Sequence, residues 1–386
     1  MPRLARQPVL LAGVLLVLMS VSLVLRTGAL DAGYWIDEGI SVGIASHDVR
    51  DIPAVLGQDG NPPLYYLLLH GWMLLAGTSE AATRALSPLF ALLAVPASFW
   101  AGTRLFSRRA GILAAAGAAG SPFLTYYAQE TRMYSLVVLL SILASASFAL
   151  AFVRGERRHV AWLGVWLALL LYTHTWGVFL VAAMAAAWLH LRRRRLVETR
   201  DGVRLAVLLA VAYLPWVPVL LAQAQQTAAP WAERPSALQL LIIPGGLFGH
   251  VATPLLALAI FFAVRRHPPV DRAVRMLVAI AIGTALLAWL SSQFEPAWAT
   301  RYSAVLMGPL LLALASVVAR GPRWTVVALV GVAGVWALSG PPRARATCAR
   351  SRRASRRPSA RATSSSPPSP RRCPRCTATC RAGRST

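Results

Sequence analysis

The chain has 386 residues, 56% of them hydrophobic and only 14% charged, with a mean hydropathy of +0.55. A water-soluble domain of that composition would expose too much apolar surface. Apolar stretches of about membrane-spanning length instead alternate with short Arg-rich loops, the pattern of a polytopic membrane protein. The formal charge of +25 suggests a nucleic-acid binder, but its placement argues against one: residues 341–386 hold 13 Arg and no acid, and residues 1–340 hold 26 Arg against 14 acids, a balance with a membrane explanation. Lys is absent and Ala and Arg dominate, the codon bias of a GC-rich bacterial genome.

Residues 8–26 resemble a signal peptide, but no small-residue cleavage site precedes Arg26 and further spans follow, so the run reads as a retained first helix. Further spans are predicted at 85–103, 110–125, 133–153, 160–175, 177–191, 203–222, 241–264, 273–290, 302–319 and 323–339, an all-α bundle of about eleven helices. Residues 62–77 are ambiguous, because they open on two prolines and carry His70 mid-run. Cytoplasmic loops collect Arg and Lys. If 62–77 does not cross, that side receives 20 of the 26 Arg in residues 1–340, and the outside receives 10 of the 14 acids. If it crosses, every later Arg-rich loop faces outward. The segment is therefore expected to lie on the outer face as an interfacial or re-entrant element. Loops 27–84, 126–132, 172–176, 223–240 and 291–302 then share that face.

Those loops carry the unusual chemistry. Asp37 and Glu38 sit just beyond the first span in Tyr-Trp-Ile-Asp-Glu-Gly, where an interfacial carboxylate has reduced hydration and becomes a better proton acceptor. Asn61-Pro62-Pro63-Leu64-Tyr65-Tyr66 follows, with a stiffened backbone and tyrosines suited to an interfacial belt. Tyr126-Tyr127-Ala128-Gln129-Glu130-Thr131-Arg132-Met133-Tyr134 joins two spans, and charges that close to hydrocarbon must pair, snorkel or work. Tyr172-Thr173-His174-Thr175-Trp176 ends one span; a lone His there is more often hydrogen-bonded structure than ligand. Ala299-Thr300-Arg301-Tyr302 opens another. Arg301 is one of six outer Arg, so charge bias does not explain it, and an outward guanidinium at membrane depth suits a phosphate.

In this order and spacing the motifs resemble the GT-C membrane glycosyltransferases, and within them glycosyltransferase family 39, which includes dolichyl-phosphate-mannose protein mannosyltransferases and the aminoarabinose transferase of lipid A. The resemblance covers about residues 8–340 and is strongest over 34–153. It implies a polyprenyl-phosphate sugar donor, an active site on the extracytoplasmic face of a bacterial plasma membrane, and an essential acid in the first loop, matching Asp37. Transfer from a lipid phosphate needs one base for the acceptor hydroxyl and positive charge for the departing phosphate, and a single displacement inverts the anomeric centre. Asp37, with Glu38 beside it, is expected to be catalytic and Arg132 and Arg301 to bind the donor phosphate. Glu130, Gln129, Tyr65, Tyr134, His174 and Tyr302 are expected to position substrate. No cofactor is implied with certainty; Glu38 and Glu130 could support a divalent cation if one is used. The acceptor is a lipid, glycan or protein hydroxyl, and nucleic acid is not expected as a partner.

The chain departs from the larger family members in having no room for a soluble outer domain after the spans. Residues 1–340 form one integral-membrane domain, whereas 341–386 lack Val, Leu, Ile, Met, Phe, Trp and Tyr and cannot build a core. The tail holds all four cysteines, Cys348, Cys373, Cys376 and Cys380, a weak zinc signal without a fourth ligand at a usual spacing. Its composition fits out-of-frame reading of GC-rich DNA. The rival reading, a transporter or lipid flippase, predicts paired half repeats with helices broken near the midplane. No such repeat is visible.

Overall fold

The computed structural model describes residues 2–226, 233–250, 252–266 and 270–321. The span expected at 323–339 and the tail from 341 lie outside the described residues. Every described element is helical, and no strand occurs among them.

The first span is α1 (Pro2–Arg26). The outer loop then folds into α2 (Ile36–Ala45), α3 (Ile52–Asp59), α4 (Leu64–Ala76) and α5 (Glu80–Arg84), and α5 leads into α6 (Leu86–Leu105). Next come α7 (Arg108–Gly120) and α8 (Pro122–Tyr127), then α9 (Tyr134–Phe148) with a terminal π turn (Ala149–Val153). After these, α10 (His159–Leu171), α11 (Gly177–Arg193) and α12 (Thr199–Tyr213) run to a 3₁₀ turn (Leu214–Trp216) and α13 (Val217–Gln226). The described chain closes with α14 (Leu238–Phe248), α15 (Ala252–Arg266), α16 (Arg272–Phe294), a 3₁₀ turn (Thr300–Leu306) and α17 (Met307–Arg320).

Six of these stretches are long and apolar enough to cross a membrane: Val9–Arg26, Glu80–Leu105, Tyr134–Val153, Thr199–Gln223, Arg272–Phe294 and Thr300–Arg320. Several expected spans are interrupted. The run 110–125 breaks at Ser121–Pro122, where proline offers no N–H to continue a helix and Ser121 Oγ caps α8 by accepting from the Leu124 amide at 3.3 Å. The run 241–264 divides at Gly249, whose φ of 91° only glycine adopts without strain. Pro215, by contrast, sits in a 3₁₀ turn inside the stretch Thr199–Gln223, which still runs long enough to cover the span expected at 203–222.

The bundle centres on α9, which with its π turn is 83% buried, against 11% for α1. Small residues let its neighbours approach closely. Gly308 opens α17 against α9, where an added Cβ would lie 2.3 Å from the Ser141 backbone, and the Gly308 amide donates to Ser141 Oγ at 3.0 Å. On α6 and α7, Gly102 and Gly111 meet so closely that a Cβ on Gly102 would fall 2.8 Å from Gly111 Cα. Arg26 is fully buried and ties α1 into this packing, donating to Ser22 Oγ and to the carbonyls of Ala91, Ala118 and Ala119.

Loops separate by chemistry onto two ends of the bundle. At one end Arg104 pairs with Glu156, Arg154 and Arg320 with Asp271, and Arg157 with Glu198 and Asp201, so the Arg-rich loops gather there. Across the roughly 30 Å length of the 20-residue Tyr134–Val153 stretch lie the loops expected on the outer face. The segment 62–77 stays at that second end throughout: the Leu64 amide donates to the Tyr172 carbonyl at 2.9 Å, His70 Nδ1 lies 2.9 Å from the Ala45 carbonyl, and Trp72 Nε1 donates to the Ala82 carbonyl at 2.7 Å. With 13 residues, α4 reaches about 20 Å, short of a hydrocarbon core of ~30 Å. The interfacial reading of this segment holds in the fold.

Candidate functional site

Asp37 and Glu38 are neighbours on α2 and so point about 100° apart. That angle separates their environments. Glu38 is 2% exposed, and its carboxylate receives Arg84 Nε and Nη2, each at 2.7 Å, the Thr131 amide at 2.9 Å and the Trp35 amide at 3.2 Å. Arg84 also donates to the carbonyls of Leu30, Ala32 and Gly33. This buried pair clamps the first loop to α5 and to the 126–132 loop. Both Glu38 oxygens are filled, so the expectation of Glu38 as a catalytic partner of Asp37 gives way to a structural anchor. Truncating one member of such a pair leaves the other charge buried, a loss of about 3–5 kcal/mol. Arg84→Ala is therefore expected to lower the melting temperature steeply, as read by thermal unfolding in detergent, and Glu38→Ala to match it.

Asp37 faces away from that pair, with its side chain 24% exposed. Its carboxylate Oδ2 lies 3.5 Å from Arg301 Nη1. Arg132 reaches the same helix, donating to Ser41 Oγ at 2.9 Å and approaching the Asp37 carbonyl at 3.4 Å. The two arginines, 169 positions apart in sequence, thus converge on one turn of α2. Aromatic rings fill the space around them. Arg132 stands 5.8 Å from the Tyr134 ring centre, and Arg301 stands 5.7 Å from Trp35 and 5.4 Å from Tyr302, distances at which the ring faces attract a guanidinium.

His174 and Tyr134 complete the floor. The His174 ring lies 6.0 Å from Tyr134 and 5.0 Å from Tyr302. Burial, with the charges of Arg132 and Arg301 adding to it, pushes the His174 pKa down to about 3. The imidazole is therefore neutral, and its Nδ1 accepts from the Trp176 amide at 3.1 Å, which leaves the ring proton on Nε2. Trp176 in turn packs on Trp298 and Tyr302, with ring centres 5.4 and 5.3 Å away.

The other expected residues are distributed around this centre. Glu130 and Gln129 are buried in the 126–132 loop; Gln129 Nε2 donates to the Thr125 carbonyl at 2.8 Å, and Ser87 Oγ holds the loop by donating to the Glu130 carbonyl at 2.7 Å. Tyr65 is fully buried, its hydroxyl 3.5 Å from Ser87 Oγ, so it supports that loop from behind. The adjacent Tyr66 hydroxyl contacts Asp59 at 3.4 Å. Among the described residues no group of three or more His, Cys, Asp or Glu is arranged to hold a metal ion. Two contributors were not singled out in the sequence. Arg84 left the same signal as Arg301, an outer arginine that charge bias does not explain. Ser41 left none, because a serine one helical turn after an acid is common.

Residues 60–220 match the sequence family described as dolichyl-phosphate-mannose-protein mannosyltransferase. That stretch contains the Pro62–Tyr66, Tyr126–Tyr134 and Tyr172–Trp176 motifs, while Asp37 and Arg301 lie outside it. Apo ArnT from Cupriavidus metallidurans superimposes with a TM-score of 0.62 at 19% identity, over 87% of this chain and 64% of that one. The chain has the GT-C fold. ArnT from the same organism bound to undecaprenyl phosphate gives a TM-score of 0.58 at 19% identity, over 86% of this chain and 63% of that one. The apo oligosaccharyltransferase of Archaeoglobus fulgidus gives 0.51 at 13% identity, over 80% and 50%. The chain thus spans a little under two thirds of the length of the ArnT structures. No curated protein matches it in sequence. The resemblance read from the motifs is borne out, and the six long apolar helices together with this fold make the chain a multi-pass membrane protein.

Proposed function

We propose that the chain is a glycosyltransferase that moves a sugar from a polyprenyl-phosphate carrier to an acceptor hydroxyl, with inversion, on the extracytoplasmic face of a bacterial plasma membrane. The observation that carries this reading is the convergence of Asp37, Arg132 and Arg301 in one aromatic-walled site at a single end of the bundle. A departing lipid phosphate needs fixed positive charge more than an acid to protonate it, and two buried or half-buried guanidinium groups supply that. Asp37 is the part-exposed carboxylate beside them and serves as the base that takes the acceptor proton. Arg301 lies beside Asp37, and a phosphate that engages the guanidinium leaves the carboxylate to face the acceptor hydroxyl. His174, Tyr134 and Tyr302 shape the floor of the site. The ArnT structure bound to undecaprenyl phosphate supports a carrier of this chemical class.

A flippase would need polar groups along a path between the two membrane faces. The arrangement favours transfer, because the charged groups of this site cluster at one end. Incubating membranes that carry the full-length protein with a panel of radiolabelled polyprenyl-phosphate sugars tests the proposal. Donor-dependent transfer of label is the expected outcome, and label moving across the bilayer without transfer refutes it.

Sidedness has its own test. Residues 1–340 contain no cysteine, so single cysteines can be introduced once the tail is removed. Gly60→Cys at the Asp37 end is expected to react with an impermeant maleimide in intact cells, and Gly155→Cys at the Arg-rich end to be protected. The reverse pattern overturns the orientation. Thr227, an equivalent outer position by sequence, lies outside the described residues.

A further inference from the structure

At the end of the bundle opposite the Asp37 site, the first turns of α10 and α12 diverge around a cavity of about 470 Å³. Its rim is polar and basic, with Arg157, Arg200, Arg204 and a single acid, Asp201. Asp201 is consumed by Arg157, which donates to it through Nε and Nη2, both at 2.9 Å, and lies 3.9 Å from Arg204. Arg200 pairs with no carboxylate among the described residues, and Arg204 is 56% exposed, so the rim keeps an excess of positive charge facing outward. Below the rim the wall turns apolar, with Val160, Ala161, Leu205 and Leu208. The cavity closes where Leu208 packs on Gly164, at which an added Cβ would lie 2.8 Å from Leu208 Cδ2. From there the apolar wall continues into exposed membrane-facing side chains, Trp162 on α10 and Val207 and Val211 on α12.

A soluble anion would use the arginines and leave the apolar wall wet, and a neutral lipid would use the wall and leave the rim uncompensated. One class of molecule matches both halves at the spacing of a membrane surface. We propose that this cavity binds an anionic glycerophospholipid, its phosphate between Arg200 and Arg204 and the first carbons of an acyl chain along Val160, Leu205 and Leu208. Arginines at a membrane surface attract acidic headgroups, and basic pockets between spanning helices at that depth hold them. The site is separate from the proposed donor site and stands or falls independently of it, because its readout is lipid binding rather than transfer.

The test is native mass spectrometry of the full-length protein in detergent, titrated with phosphatidylglycerol, with phosphatidylethanolamine and with inorganic phosphate as a competitor. Phosphatidylglycerol is expected to bind on the order of tenfold more tightly than phosphatidylethanolamine. The double variant R200Q/R204Q is expected to lose that preference, and Ala161→Trp, which fills the cavity and keeps every charge, to weaken phosphatidylglycerol binding by a similar factor. Equal binding of the two lipids, wild-type affinity in either variant, or full displacement by millimolar phosphate would overturn the assignment. Unchanged melting temperatures of both variants show that any loss is local.

Discussion

Asp37→Asn is expected to reduce transfer by about 10²–10⁴-fold while leaving the fold and membrane insertion intact. The amide keeps the size of the side chain and its approach to Arg301, now 3.5 Å from the carboxylate, but cannot accept the acceptor proton. The side chain is part-exposed and its ion pair with Arg301 is longer than the buried pair of its neighbour with Arg84. The comparison with Glu38 sharpens the experiment. Replacing Asp37 should lower kcat with an unchanged melting temperature, whereas replacing Glu38 should lower the melting temperature through its buried pair with Arg84. Near-normal turnover by Asp37→Asn, measured in the radiolabel assay, removes Asp37 as the base.

Removing Arg132 or Arg301 is expected to weaken donor use by roughly 30-fold to several thousand-fold, the effect of about 2–5 kcal/mol for truncating one member of a desolvated charge contact. The two should differ in character. Arg132 is 7% exposed and anchored on Ser41, so its loss also loosens α2. Arg301 is more exposed and its ion pair is with Asp37 itself, so Arg301→Ala should also release the base. Lysine at either position restores charge but not the planar donor fork, and should recover part of the activity. Because both guanidinium groups address one α2 turn, the double variant should lose less than the product of the single losses. Unchanged apparent donor affinity in both single variants would sink the phosphate assignment and return these residues to topology.

Charge alone made the loop grouping legible. Each Arg-rich loop near a span carries its side of the membrane in its own composition, so the ends of the bundle could be sorted without knowing any contact. The helix breaks were less accessible. Pro122 starts a new helix inside the run 110–125 and Gly249 takes its positive φ inside 241–264, runs whose apolar composition reads as one continuous span. The site was half legible. Arg132 and Arg301 stood out because an arginine at an outer helix end has no topological reason to be there, and Asp37 because it follows the first span.

By itself, then, the sequence determined that the chain is a multi-spanning helical protein, which loops share an end, and that 62–77 does not cross, because hydropathy and Arg placement are local properties of the chain. Tertiary structure alone decided which acid of the Asp37–Glu38 pair is buried in an ion pair and which stays part-exposed beside Arg301. Glu38 is committed to Arg84, 46 positions away, and to the Thr131 amide, 93 away. No local pattern encodes partners at that distance. The same holds for the meeting of Arg132 and Arg301, which depends on Gly308 letting α17 lie against Ser141 of α9 so that the turn before it carries Arg301 to Asp37. Composition sets what a helix can bury, but only close packing between helices fixes which side chains end up within reach of each other.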